Sequence, residues 1–373
     1  MEKGAVGMSQ IAKKFEGVLT AATSVMIALL IGSIVLLVSG INPIAAYKAL
    51  MFGAFGNLRN LFDTLGRATP IIFTGLAIGF AFRGGMFNIG AEGQLAAGAL
   101  CAAIVGYALK VPMIIHLPVS IIAGMAGGMA WAAIPAVLRA KKGVHEVIST
   151  IMMNYAAIHL GGFMIEKLRT NEMPQTPDVL PTARLLKVSE ISQAIKNTNL
   201  NLGFVIAVVC AVVLFIVINK TVFGYELRAM GFSPLAAEDA GISINKKIIT
   251  VMLLSGMLAG LAGTERVLGV HRTYLSGIST NYGFEGIAVA LLAKNNPVGI
   301  IFSAILFGAL SSGGQYMSFE TNASVDIVGI IQGLIILFAA ISQAGEFMNF
   351  KRLFQSGKTT LPKAGEENVK GGK

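Results

Sequence analysis

Charge is scarce in this sequence: Asp, Glu, Lys and Arg make up 13% of 373 residues, against 54% hydrophobic. Soluble domains carry about a quarter charged residues, so this composition does not supply an ordinary water-facing surface. Cysteine is nearly absent. Cys101 and Cys210 both sit in apolar stretches, so neither a disulfide framework nor a zinc site is readable. The histidines His116, His145, His159 and His271 have no metal-ligand spacing, and no HExxH motif or nucleophile elbow occurs. Gly357-Lys358-Thr359 matches the end of a phosphate-binding loop, but such a loop needs a glycine five positions before Gly357, where this chain has Arg352. No directly bound cofactor or metal is therefore expected, and a membrane-embedded enzyme finds no catalytic constellation to support it.

What is abundant is apolar sequence. Mean hydropathy is +0.72, which points to lipid as the solvent. At roughly 20 residues per helical crossing, the chain holds about ten crossings and no large soluble domain. The 44 glycines suit the same class, because small residues let membrane helices approach closely. Gly124 with Gly128, and Gly256 with Gly260, have the small-xxx-small spacing of tight helix contacts. The net charge of +10 is spread between apolar segments without an aromatic-lined patch, which excludes nucleic acid as the partner. Positive loops on the cytoplasmic side of a membrane account for it.

The apolar runs place segments at about 18–39, 62–82, 90–109, 114–138, 145–165, 202–219, 247–268, 283–294, 297–317 and 325–343. The first is too long for a signal-peptide core and lacks a small-x-small cleavage site, so it reads as a retained helix. These divisions give a cytoplasmic N-terminal segment over 1–17, a transmembrane domain over 18–345 and a polar cytoplasmic tail over 346–373. With Lys13 and Lys14 inside, the inner connections collect Arg83, then Arg139, Lys141 and Lys142, then the 220–247 loop, then Lys294, and finally Lys351 and Arg352. Both termini thus fall on the cytoplasmic side. The mixed-charge connection over 166–200 falls outside.

One short pattern recurs. Asn88-Ile-Gly-Ala-Glu92-Gly returns as Asn281-Tyr-Gly-Phe-Glu285-Gly, opening segments three and eight. Five crossings separate the copies, so they run oppositely through the membrane, as in transporters whose substrate path lies between inverted halves. The expected fold is an all-α polytopic membrane protein of about ten transmembrane helices in two inverted-topology halves. Carboxylates inside a membrane face protein, water or substrate. Two readings of Asn88, Glu92, Asn281 and Glu285 stand level: they frame a path for a polar solute, or they cap helices, Asn as N-cap and the acid in the first turn. Asn154 and His159, in segment five, read first as hydrogen-bonded helix residues and second as path residues.

The loop from Gly224 to Ile242 contains a short surface helix over about 234–240: Ser233 is the N-cap, Pro234 the first helical residue and Gly241 the left-handed cap. Glu238 and Asp239 sit at its C-terminal end, where the helix dipole disfavours them, which suggests that they answer to a basic partner surface.

The stretch R-A-M-G-F-S-P-x-A-A-E-x-A-G-I, from Arg228 to Ile242, resembles the coupling helix of the branched-chain permease superfamily of ABC importers, which includes ribose-type sugar permeases and nucleoside permeases. Phe82 to Gln94, F-R-G-G-M-F-N-I-G-A-E-G-Q, resembles the nucleoside branch, and the likeness runs over about 20 to 345. The resemblance implies a bacterial-type cytoplasmic membrane, a tandem ATPase that uses the ATP, a second homologous permease subunit or a second copy of this chain, and a substrate-binding lipoprotein. With nucleosides as the cargo, the path reading of the repeat takes in Asn88, Glu92, Gln94, Asn281 and Glu285. Arg228, Ser233, Pro234, Glu238, Asp239 and Gly241 fall at the ATPase contact. A simple sugar such as ribose is the alternative cargo, and an ion-coupled secondary carrier the alternative class, since inverted repeats and intramembrane acids occur there too.

Overall fold

The computed structural model describes residues 22–169, 172–191, 198–324 and 326–347, without the side chains of 339, 340 and 342–347. The segment over 1–17, the tail beyond 347 and the charges at Lys13, Lys14, Lys351 and Arg352 lie outside the described residues.

Helix α1 runs Ala22–Val38 and stops at Gly40, whose φ of +75° needs glycine. Next comes α2, Pro43–Phe55, started by the Asn42 side chain, which accepts the Ile44 N–H, and by Pro43 in the first turn. The hydropathy reading places no element there. At 13 residues α2 is about 20 Å long, too short for a 30 Å hydrocarbon core. It folds against the far end of a later helix, with Gly53 against Tyr316 and Gly313.

The full-length helix α3, Leu58–Arg83, is followed by irregular chain over 84–90, α4 Ala91–Ala108, α5 Met113–Lys142 and α6 Glu146–Leu168. Gly143, φ +66°, ends α5. A connection that includes the 3-10 turn Pro181–Ala183 and the one-turn α7, Val188–Ile191, leads to α8, Gly203–Lys220. Two further helices, α9 Val222–Phe232 and α10 Pro234–Asp239, precede α11, Ile244–Glu265, which continues as a π turn over Arg266–His271. Irregular chain over 272–281 leads to α12, Tyr282–Leu292, then α13, Pro297–Thr321, and α14, Asp326–Phe347. Among the described residues seven helices are long and apolar enough to cross a membrane, with four shorter apolar ones beside them.

Glycine pairs set the central packing, as their spacing predicts. A Cβ on Gly128 of α5 would lie 2.7 Å from the Gly260 Cα of α11, and one on Gly98 of α4 would lie 2.5 Å from that same atom. Backbones this close gain dispersion contacts where lipid removes the hydrophobic drive between helices. Asn154 bridges α6 to the 84–90 stretch, donating to the Ile89 carbonyl at 2.9 Å and accepting the Gly93 N–H at 2.8 Å; His159 is exposed.

The two ends of the bundle differ. At one end Arg83 meets the 294–295 turn, Arg139 meets Glu146 and Lys247 pairs with Glu226 of α9, so the basic connections cluster there. At the other, the connection after α6 pairs with the chain around 268–275: the Thr176 N–H donates to the Tyr274 carbonyl and the Leu185 N–H to the Leu268 carbonyl. There burial, and then the neighbouring Arg272, hold the Lys187 ammonium below its usual pKa.

Candidate functional site

The two copies of N-x-G-x-E-G occupy equivalent places. In each, a full-length helix ends, irregular chain follows, and a new helix starts within the bundle: α3, 84–90 and α4 in the first copy; α11, 272–281 and α12 in the second. The starts of α4 and α12 abut, since a Cβ on Gly283 would lie 2.7 Å from the Glu92 Cα. At 11 residues α12 is about 16 Å long, half a bilayer, so irregular chain makes up the rest of that crossing.

Glu92 caps the opposite helix rather than its own. Its Oε1 accepts the Asn281 N–H at 2.9 Å and its Oε2 the Gly283 N–H at 2.6 Å. A carboxylate at the positive end of α12 is favourable both as a hydrogen-bond acceptor and against the dipole. Asn281 occupies the N-cap position in a left-handed conformation, φ +68°, and its side chain makes no cap bond. The acid of the first copy thus caps the helix of the second. Asn88 is fully buried and uses all of its amide capacity: Nδ2 donates to Gln94 Oε1 (2.8 Å) and Ser255 Oγ (2.7 Å), and Oδ1 accepts from Gln94 Nε2 (3.0 Å) and the Gly90 N–H (3.1 Å). Ser255 Oγ in turn donates to the Ala77 carbonyl at 2.7 Å. Asn88, Glu92 and Gln94 are therefore engaged within the protein, and they hold the junction closed.

Asn281 and Glu285 differ from them. Asn281 is exposed and Glu285 half-buried, one turn into α12. Glu285 lies within electrostatic range of Arg67 of α3. Arg67 in turn donates from Nη1 to Ser311 Oγ at 3.3 Å and from Nη2 to Gln315 Oε1 at 2.5 Å, both on α13, and Gln315 is exposed. Arg67 is nine residues from the start of α3, about 14 Å along a helix about 39 Å long. A charged and amide-bearing face at this depth is costly against hydrocarbon, so it faces protein or water. Motif reading missed Arg67, Ser311 and Gln315; the available signal was an arginine inside apolar segment two.

The second candidate region is the basic-end loop. Ser233 Oγ accepts the Ala236 N–H at 3.3 Å, Pro234 is the first residue of α10, and Gly241 takes φ +86°, its N–H reaching the Glu238 carbonyl at 2.8 Å while Ile242 N–H reaches that of Ala237 at 3.0 Å. The helix ends at Asp239, one residue before the expected Ala240. Glu238 and Asp239 are exposed. Arg228 belongs instead to α9, a helix absent from the sequence reading, where its Nε donates to the Gly224 carbonyl at 3.2 Å. Beside α10 stand exposed apolar side chains that sequence reasoning overlooked: Phe232 is 92% exposed, Leu235 76% and Tyr225 65%. Large apolar groups grouped on a surface mark a contact site.

Fold and site together define an all-α, multi-pass membrane permease. The chain belongs to the family described as the branched-chain amino acid transport system permease component, whose sequence profile matches residues 60–340. It is 40% identical over 325 residues to the guanosine ABC transporter permease protein NupP of Bacillus subtilis (strain 168), covering 87% of this chain and 93% of that one. It is 36% identical to the nucleoside ABC transporter permease protein NupB of Lactococcus lactis subsp. cremoris (strain MG1363), covering 87% and 90%. The glucose ABC transporter permease protein TsgB13 of Haloferax volcanii is 30% identical, covering 85% of each chain.

Proposed function

We propose that this chain is the membrane-spanning subunit of an ATP-binding-cassette importer and forms part of the path by which nucleosides cross a bacterial-type cytoplasmic membrane. The observation that carries this is an intramembrane polar group, half-buried Arg67 bonded to Ser311 and exposed Gln315, together with exposed Asn281 and half-buried Glu285 at the broken-helix junction, in a chain of this permease family. Its groups suit a nucleoside: the carboxylate accepts from ribose hydroxyls, the two amides pair with base edges, and the guanidinium donates or lies on the base plane. Because such a face is not stable against lipid, a second homologous subunit or a second copy of this chain covers it, leaving the solute path between them. Relatives named for guanosine and for nucleosides support this cargo. A simple sugar is the second reading, supported by the relative named for glucose.

The driving force comes from a separate, tandem ATPase. The exposed Phe232, Leu235, Glu238 and Asp239 of the basic-end loop offer it an apolar knob ringed by acids, with Ser233, Pro234 and Gly241 fixing the helix that presents them. That end is cytoplasmic, as its basic connections require, and so are both termini; a substrate-binding lipoprotein delivers solute at the opposite end. Nucleotide shifts the permease only if the ATPase binds its two conformations unequally. The test is uptake by proteoliposomes containing the chain, its companion permease, the ATPase and the lipoprotein. Labelled guanosine should accumulate with ATP and be displaced by other nucleosides but not by glucose or ribose; displacement by sugar alone would move the cargo to the second reading.

A further inference from the structure

The ten residues from Arg83 to Glu92 hold α12 at both ends. At its start, Glu92 takes the N–H groups of Asn281 and Gly283. Beyond its last turn, Arg83 Nε donates to the Asn295 carbonyl at 3.1 Å and Nη2 to the Lys294 carbonyl at 3.5 Å. An anion thus stands at the positive end of the helix and a cation at the negative end, the favourable sense for both. Along its length α12 is tied to α3: Thr74 Oγ1 donates to the Tyr282 carbonyl at 2.8 Å, and Gly75 and Gly286 leave no space between the helices. The half-helix bearing Glu285 is therefore held at its two ends by the 83–92 elbow and along its length by α3.

The basic-end helix α9 also bears on this elbow. A Cβ on Gly85, whose φ is +72°, would lie 3.2 Å from the Gly231 Cα; one on Gly231 would run into the Arg83 carbonyl oxygen; one on Gly84 would lie 2.7 Å from Leu227 Cδ1. Leu227 and Met230 of α9 are buried in one cluster with Phe80, Ala81 and Met86. On the other side of the elbow, buried Glu146 accepts the Phe87 N–H at 3.4 Å and faces Arg139 Nε at 3.1 Å. Backbone touching backbone, with no flexible side chain between, transmits displacement instead of absorbing it.

We infer that the 83–92 elbow is the lever of the transport cycle. Movement of α9 and α10 is delivered through the Gly231 contact to Gly84 and Gly85, and by the Arg83 and Glu92 clamps to α12 and its Glu285 carboxylate. Gly231 and Arg83 are positioning residues for transport and touch no solute. The inference rests on the proposed ATPase-driven function and adds the route by which the drive reaches the solute path.

The experiment uses the reconstituted complex with Gly231→Ala and, separately, Arg83→Gln, which leaves the surface of α9 and α10 untouched. Uptake per ATP hydrolysed is measured together with maleimide labelling of Phe284→Cys in a Cys101→Ala, Cys210→Ala background. ATP hydrolysis by the complex should persist in both variants. Uptake per ATP should fall about tenfold, a typical size for coupling between two sites, and the nucleotide-dependent change in labelling at position 284 should disappear. Unchanged uptake per ATP with an unchanged labelling response in either variant overturns the lever. If Gly231→Ala does not assemble, Arg83→Gln decides by the same readouts. Failure of the unaltered chain to associate with any ATPase would instead defeat the proposed function, so the two failures are distinguishable.

Discussion

Replacing Glu92 by Gln tests the capping of α12 by the first copy of the motif. The side chain keeps its shape, but its amide can accept only one of the two N–H groups that Glu92 now holds at 2.9 and 2.6 Å, and its NH2 is turned against the other. A buried N–H left without an acceptor costs about 1–3 kcal/mol. Losing the charge at the start of α12 adds about 0.3–1 kcal/mol. Together these come to about 1–4 kcal/mol. At about 2.1 cal/mol/K per residue, a cooperative unit of this chain's size converts this to a fall in apparent Tm of roughly 2–5 °C in detergent micelles. Asn281→Gly is the control: its side chain makes no cap bond and its backbone is already left-handed, so glycine fits and Tm should move by less than about 1 °C. A neutral Glu92→Gln, or an Asn281→Gly as harmful as Glu92→Gln, would refute the reasoning, because α12 would then be capped from within its own repeat.

Arg67→Ala should leave the complex assembled and lower ATP-dependent uptake by about tenfold or more, since a charged hydrogen bond is worth about 1.5–3 kcal/mol; wild-type uptake kinetics would remove Arg67 from the path. The Glu238→Lys, Asp239→Lys double variant should uncouple uptake from ATP hydrolysis by reversing the charge of the proposed docking surface; unchanged uptake excludes that role. Gly128→Leu places a branched side chain where a Cβ already meets the Gly260 Cα at 2.7 Å. It should abolish recovery of monodisperse protein in size-exclusion chromatography, and a normal elution profile would mean that α5 and α11 are not locked as described.

How far the sequence reaches depends on how local each interaction is. Ser233, Pro234 and Gly241 lie within one short stretch and act on the helix they flank, so α10 was legible to within a residue. The long apolar helices were legible because lipid imposes one length on all of them. Helix α2 was not: 13 residues interrupted by Lys48 resemble a connection, and what makes them a helix is Tyr316 and Gly313 packed against Gly53 from far along the chain. Helix α9 was hidden by Gly224 and Gly231, which read as loop residues, whereas their missing side chains admit the neighbouring backbones. The repeat announced that Glu92 matters and in which topological position. That its acceptor capacity goes to Asn281 and Gly283, and that Arg67 meets Gln315, are facts of tertiary packing across nearly 200 residues or more, which no local pattern records.

The central claim is that solute crosses this protein only when another polypeptide spends nucleotide at its basic end. The most direct measurement is uptake of labelled guanosine into proteoliposomes, with and without the companion ATPase, under ATP on the ATPase side or under an imposed proton or sodium gradient. Labelled guanosine should accumulate with ATPase and ATP together, and neither gradient should drive uptake when the ATPase is left out. Gradient-driven uptake by liposomes lacking the ATPase would contradict it.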